Sequence, residues 1–175
     1  MENFYSLVQT RRSTRKFKSD AVPQEIQDKL KEIVLMAPAS KRSNPWEFIF
    51  VENKETLTKL STCKQMGGAF LKDAPLAVVV VADTQKSDVW IEDTSIASIY
   101  LQLAAEDLGL GSCWIQMRLR KDESGNFASD NIKNLLNIPE NYEVTSVVAI
   151  GYKDEERKPF DLNRLQKDKI HAEQF

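Results

Sequence analysis

Apolar positions recur along this chain at two periods, and the change from one to the other marks its elements. Phe4, Leu7 and Val8 follow helical spacing and stop at the polar run from Thr10 to Thr14. The spacing predicts a first short helix with a cationic loop at or just past its end. Pro23 suits the opening of a second helix, whose stripe Ile26, Leu30, Ile33, Val34 and Ala37 runs until Pro38 stops it. A polar loop, Ala39 to Pro45, leads into Trp46 to Val51, which reads as a strand. Asn53 is placed to cap a third helix carrying Leu57 and Leu60, ahead of a Gly67-Gly68 break.

Leu76 to Ala82 is an unbroken apolar, valine-rich run between Pro75 and Asp83, as expected of a central strand covered on both faces. Ile96, Ile99, Tyr100, Leu103, Ala104 and Leu108 mark a long buried helix ended by Gly109 and Gly111. Ser112 to Met117 and Val144 to Ile150 read as two more strands, with a short helix near Ile132 to Leu136 between them. The expectation is four strands and four or five helices in one domain spanning residues 1–175. Beyond Gly151 the chain is polar, with scattered anchors Phe160, Leu162, Leu165 and Ile170 that cannot bury themselves. The tail is expected to lie on another surface.

Composition narrows the function classes. Lys and Arg number 24 against 26 Asp and Glu, a net charge of -2, so no global basic field advertises nucleic acid and any anion site must be local. Cys63 and Cys113, the only cysteines, fit neither a disulfide framework nor a zinc or redox pair, which favours a reducing compartment. No stretch is apolar enough for a membrane helix, and Met-Glu-Asn-Phe does not open like a signal peptide. A cytoplasmic protein is expected. The sole histidine, His171, lies in the polar tail without a nucleophile or carboxylate in suggestive order, and no metal-ligand spacing occurs. No metal and no catalytic triad are expected.

Four segments carry candidate chemistry. Arg11, Arg12, Ser13, Thr14, Arg15 and Lys16 gather four cations and two hydroxyls within six residues, a donor set suited to phosphate. Solvated cations complementing a helix end are the plain alternative. Arg157 and Lys158 would join them if the tail folds back. The loop Pro38, Ala39, Ser40, Lys41, Arg42, Ser43, Asn44 packs polar donors between two prolines, which suits recognition of a heterocycle, although pattern alone favours an ordinary connection with Trp46 as core anchor. Leu108 to Gln116 sets two glycines before Cys113, Trp114, Ile115 and Gln116, permitting close approach to a flat ligand; helix termination accounts for Gly109 just as well. No Gly-rich phosphate loop follows any strand, which disfavours a Rossmann-type fold.

Taken together and in order, these segments resemble the nitroreductase family of FMN-dependent oxidoreductases over essentially the whole chain. The family pattern Arg-Arg/His-Ser-x-Arg/Lys-x-Phe is matched from Arg11 to Phe17. Ala37 to Trp46 follows its Ala-Pro-Ser loop, Leu-Gly-Leu-Gly-Ser-Cys-Trp-Ile is intact from Leu108, and Ile150-Gly151-Tyr152 closes the series. The resemblance implies an α+β, three-layer fold with a mixed, mostly antiparallel sheet of four to five strands flanked by helices. It implies a homodimer with FMN at the interface, the tail 159–175 wrapping the partner. Arg11 and Ser13 would hold the phosphate with Arg157 or Lys158, Arg12 would join the cofactor site, and Arg15 would reach the pyrimidine edge. Pro38, Ala39, Ser40, Arg42 and Asn44 would come from the other subunit, and Cys113, Trp114, Ile115 and Gln116 would run beside the ring. The implied reaction moves hydride from NADPH or NADH to a small acceptor such as a nitroaromatic, quinone or enone. A flavin-storage protein, or a relative that uses the flavin for dehydrogenation or flavin breakdown, is the alternative. Departures fall at Arg42, Asn44, Gly67-Gly68 and Gln116, and Arg42 adds a cation suited to an anionic substrate.

Overall fold

The computed structural model describes residues 3–175. Local signals explain where its elements begin and end. Asn3 caps α1 (Phe4–Thr10) by accepting the Ser6 N–H, and Asn53 caps α3 (Lys54–Thr62) in the same way through Thr56. Between them lie α2 (Gln24–Leu35), entered from Pro23, and the strand β1 (Trp46–Val51). Then come β2 (Leu76–Asp83), α4 (Trp90–Asp107), β3 (Gly111–Gln116), α5 (Ala128–Leu136) and β4 (Tyr142–Gly151).

The strands form one sheet in the order β1-β2-β4-β3, with every neighbouring pair antiparallel. The parallel component expected of a mixed sheet is confined to an isolated bridge between Ser13 and Ser112. β2 lies inside the sheet and all eight of its residues are buried. Because successive side chains point to opposite faces, Leu76, Val78 and Val80 pack with Leu30 and Val34 of α2 and with Ala97, Leu101 and Ala105 of α4. Ala77, Val79 and Val81 pack with Leu57 and Leu60 of α3 and Ile132 of α5. The result is three layers, helix, sheet and helix. Each fully buried valine or leucine contributes on the order of 1.5–3 kcal/mol.

α4 begins at Trp90, six residues before the expected start, because the buried positions of its opening turns are polar: Asp93 and Thr94 are buried with hydrogen-bond partners rather than by an apolar stripe. Its seam continues as Ser98 against Ser146 at 3.2 Å and as the Thr145 hydroxyl donating to Thr94 at 2.9 Å. Thr145 is the extra residue of a bulge, and its carbonyl accepts the N–H groups of both Met117 and Arg118. The helix ends in a left-handed Gly109 (φ +76°), with Leu110 N–H bonded to the Ala105 carbonyl and Gly109 N–H to that of Glu106.

After β4 the chain turns back onto α1. The Phe160 N–H donates to the Gln9 carbonyl at 2.8 Å, and the Gln9 amide returns a bond to the Phe160 carbonyl at 3.2 Å. The first part of the tail thus rests on its own chain, whereas Ile170 and Phe175 stand exposed. Both cysteines are buried and free, and His171 is exposed and stacked on Phe175. Among the described residues no helix is long and apolar enough to cross a membrane.

Candidate functional site

Past Arg11 the chain is extended and clamped between two parts of the sheet. The Thr14 N–H donates to the Ser112 carbonyl on β3 at 2.9 Å, and the Lys18 N–H to that of Tyr152 beyond β4 at 2.9 Å. The clamp needs Gly111: a Cβ there would lie 2.6 Å from Thr14 Oγ1 and 2.8 Å from Lys153 Cγ. Of the two readings open for these glycines, Gly109 takes the helix-ending one, and Gly111 admits Thr14, which is 1% exposed.

Glu155 fixes the cationic run from the other side. One carboxylate oxygen accepts the Arg15 N–H at 2.7 Å and the Lys16 N–H at 3.3 Å, and the other pairs with the Arg157 guanidinium at 2.9 Å. The Arg15 backbone N–H, with Arg157 as a further cause, holds the Glu155 carboxyl below its ordinary value. Arg15's own guanidinium lies 6.0 Å from the Phe70 ring centroid.

A groove of about 830 Å³ opens beside this run. Arg11, Arg12, Ser13, Arg15 and Arg157 line its polar side; Phe4, Tyr5 and Val8 of α1 and Phe160, Leu162 and Leu165 of the tail line its apolar side. No carboxylate is among its lining residues, and among the described residues none forms a salt bridge with the guanidinium of Arg11, Arg12 or Arg15. A chain of net charge -2 thereby presents one concentrated cationic wall. Of the two tail cations, Arg157 reaches the groove and the exposed Lys158 does not.

The other expected residues lie elsewhere in the single chain. Cys113 and Ile115 are buried in β3 directly after the Ser13–Ser112 bridge, and burial pushes the Cys113 thiol up against the opposing pull of Arg15, Ser13 and Arg11. Trp114 Nε1 donates to Gln116 Oε1 at 3.0 Å, the Gln116 amide donates to the Arg118 carbonyl at 3.0 Å, and Lys64 Nζ donates to the Gln116 carbonyl at 3.0 Å. Pro38, Ala39, Ser40, Arg42 and Asn44 line no part of the groove. Their loop is strained: Lys41 (φ +52°), Arg42 (+55°) and Asn44 (+42°) are all left-handed, at roughly 1–2 kcal/mol for an ordinary side chain. Ser43 Oγ and Trp46 Nε1 are buried there without hydrogen-bond partners.

Glu155, Lys64 and the apolar wall from α1 and the tail were not anticipated. Glu155 sits in an acidic triplet, Asp154, Glu155, Glu156, in which nothing local distinguishes the middle carboxylate. The α1 and tail residues were noted as apolar positions, but only folding brings them to one groove.

The fold and site define a layered α+β protein with a cationic groove where the chain leaving its first helix meets the ends of its sheet. The chain belongs to the nitroreductase family, whose model, described as "Nitroreductase family", matches residues 8–64 and 62–152; it is accordingly an oxidoreductase. A protein of Methanothermobacter thermautotrophicus, provisionally named NADH dehydrogenase/NAD(P)H nitroreductase, is 36% identical over 171 residues, covering 96% of this chain and 85% of its own. One of the same provisional name from Archaeoglobus fulgidus is 34% identical over 180 residues and covers 100% of both chains. The solved structure of an FMN-dependent nitroreductase from Clostridium difficile R20291 is 46% identical, with a TM-score of 0.96 over 98% of this chain and 100% of that one.

Proposed function

We propose that this chain is an FMN-dependent oxidoreductase that takes reducing equivalents from NADH or NADPH and delivers them to a small acceptor of the nitroaromatic, quinone or enone class. The observation that carries the reading is the convergence of Arg11, Arg12, Ser13, Arg15 and Arg157 on one groove with an apolar opposite wall. The donor set fits the cofactor: guanidinium forks and a hydroxyl answer a dianionic phosphate, apolar surface answers a flat ring, and the volume falls within the roughly 300–1,000 Å³ of small-molecule sites.

Bound FMN supplies a two-electron carrier that accepts hydride from the nicotinamide and yields it to the acceptor. Arg11, Arg12, Ser13 and Arg157 would bind the phosphate. Arg15 serves the pyrimidine edge, where a fixed positive charge stabilises the negative charge that reduction brings. Glu155 orients Arg15 and Arg157 from outside the groove. Cys113, Trp114, Ile115 and Gln116 form the strand behind the ring.

In this reading the site is completed by a second copy of the chain. Support comes from the loop Pro38, Ala39, Ser40, Arg42 and Asn44, which is strained and polar yet lines no part of the groove, and from the exposed Ile170 and Phe175. The tail past Leu165 then covers the partner. The absorption spectrum of the purified protein, followed by anaerobic addition of NADPH or NADH, tests the proposal: a flavin spectrum that bleaches is expected. A colourless protein that stays apo in excess FMN overturns it.

A further inference from the structure

Asp93 is a buried carboxylate outside the groove, and unlike Asp83 and Lys133 it has no ion-pair partner among the described residues. It is 2% exposed, in the first turn of α4. One carboxylate oxygen accepts the backbone N–H of Ser40 at 2.8 Å, and the other accepts the Ser87 hydroxyl at 2.9 Å. The positive end of α4 favours the charge at that position. A buried carboxylate costs free energy unless hydrogen bonds and dipoles compensate it, so a site spent on holding one backbone N–H marks a segment whose conformation matters.

The segment it holds is the strained one. Immediately after Ser40 come Lys41 and Arg42, both left-handed, and Asn44 follows at φ +42°. Such backbone persists only when surrounding structure over-determines it. Ala39, just before the clamp, is extended (φ -135°, ψ 152°), so the chain reverses abruptly at the residue Asp93 grips. Backbone bonds close the turn on itself, Arg42 N–H to the Ala39 carbonyl at 3.2 Å and Ser43 N–H to that of Ser40 at 2.9 Å, and the Pro45 carbonyl accepts the Asp83 N–H at 2.9 Å, but Ser43 Oγ and Trp46 Nε1 are buried without partners, and Asp93 supplies a side-chain hold from outside the turn.

We infer that Asp93 is a positioning residue, which acts through the Ser40 N–H to keep the Lys41–Asn44 turn in a shape prepared for ligand, with Ser87 orienting the carboxylate. The ligand side of this statement rests on the function proposed above; the clamp itself does not. Asn at position 93 keeps an oxygen for the Ser40 N–H and turns its amide toward the Ser87 oxygen, so Asp93→Asn retains the clamp, while Asp93→Ala removes it and Ser87→Ala loosens it.

Two readouts separate the clamp from the site. Limited trypsin digestion of FMN-free protein reports the turn, because Lys41 and Arg42 are cleavage positions that a held turn protects. FMN titration by flavin fluorescence reports the coupling. For Asp93→Ala, cleavage at Lys41 and Arg42 is expected to accelerate while other tryptic positions keep their rates, and FMN is expected to bind about tenfold more weakly, the scale of one charge-assisted hydrogen bond. Ser87→Ala should shift both in the same direction by less, and Asp93→Asn should match the natural protein. Unchanged loop cleavage and FMN affinity in Asp93→Ala overturn the inference, as does acceleration at every tryptic position or equal damage from Asp93→Asn. Should Asp93→Ala fail to fold, unchanged loop cleavage and affinity in Ser87→Ala overturn it. A natural protein that binds no FMN refutes the proposed function instead, while loop cleavage still decides the clamp.

Discussion

The run from Arg11 to Phe17 and the loop from Pro38 to Asn44 are both polar connections, and they are built in opposite ways. The first is extended, bonded to β3 and to the chain leaving β4, seated on Gly111, and oriented by Glu155. Its cations need nothing further from the chain to present a charged wall. The second turns through left-handed backbone closed by its own short-range bonds, leaves two buried polar atoms unpartnered, and is gripped at Ser40 by one buried carboxylate. In the proposed reading, the preorganised groove and the strained loop that lines no part of it are two halves of a site that a second copy of the chain closes.

The comparison breaks hardest at Gly111. Gly111→Val places atoms into Thr14 and Lys153, and overpacking of this kind costs roughly 1–3 kcal/mol. The whole cationic run must shift, so loss of FMN binding together with a lower Tm is expected in calorimetry and flavin titration; retained binding would show that the clamp does not set the groove. Arg11→Ala and Ser13→Ala come next. In the proposed reading each removes one charge-assisted contact to phosphate, worth roughly 1.5–3 kcal/mol, with the fold expected intact. Circular dichroism and FMN affinity measured side by side check both halves of that statement.

Arg42→Gly tests the strained side. Glycine adopts φ +55° freely, so the protein should gain about 1 kcal/mol, or roughly 2–4 °C in Tm, even as the turn loses a cation. A Tm that falls would mean the loop is not strained. The smallest effect is the acid limb. Glu155 is held below its ordinary value of 4.5 by the Arg15 N–H first and by Arg157 further down the series. A carboxyl with a depressed native pKa contributes stability that is present above its unfolded pKa and is lost as pH falls through the native one. The window therefore lies from about pH 4.5 downward, and Glu155→Gln should flatten the Tm profile there while leaving the slope near neutrality alone.

Much of the fold was legible because its signals are local. The Trp46 to Val51 pattern yields β1 with the same bounds, the valine run yields an interior strand, and Asn53 caps α3 as expected. α4 was misplaced at its start for the converse reason: Asp93, Thr94 and Ser98 are buried by hydrogen bonding, which no apolar period records. The motif from Arg11 to Arg15 named candidates without ranking Arg157 over Lys158, since two adjacent cations in a polar tail look alike until the chain turns back onto Gln9.

What the sequence determined by itself was the order of elements, the family and the donor set, because periodicity, caps and motif spacing act over a few residues. What only the tertiary structure decided was company. It alone put the Arg11 run beside β3, aimed Arg157 rather than Lys158 at the groove, set the first stretch of the tail on α1, and buried Asp93 under Ser40. Those contacts join residues from 53 to 151 positions apart, and their geometry follows from packing three layers against one another.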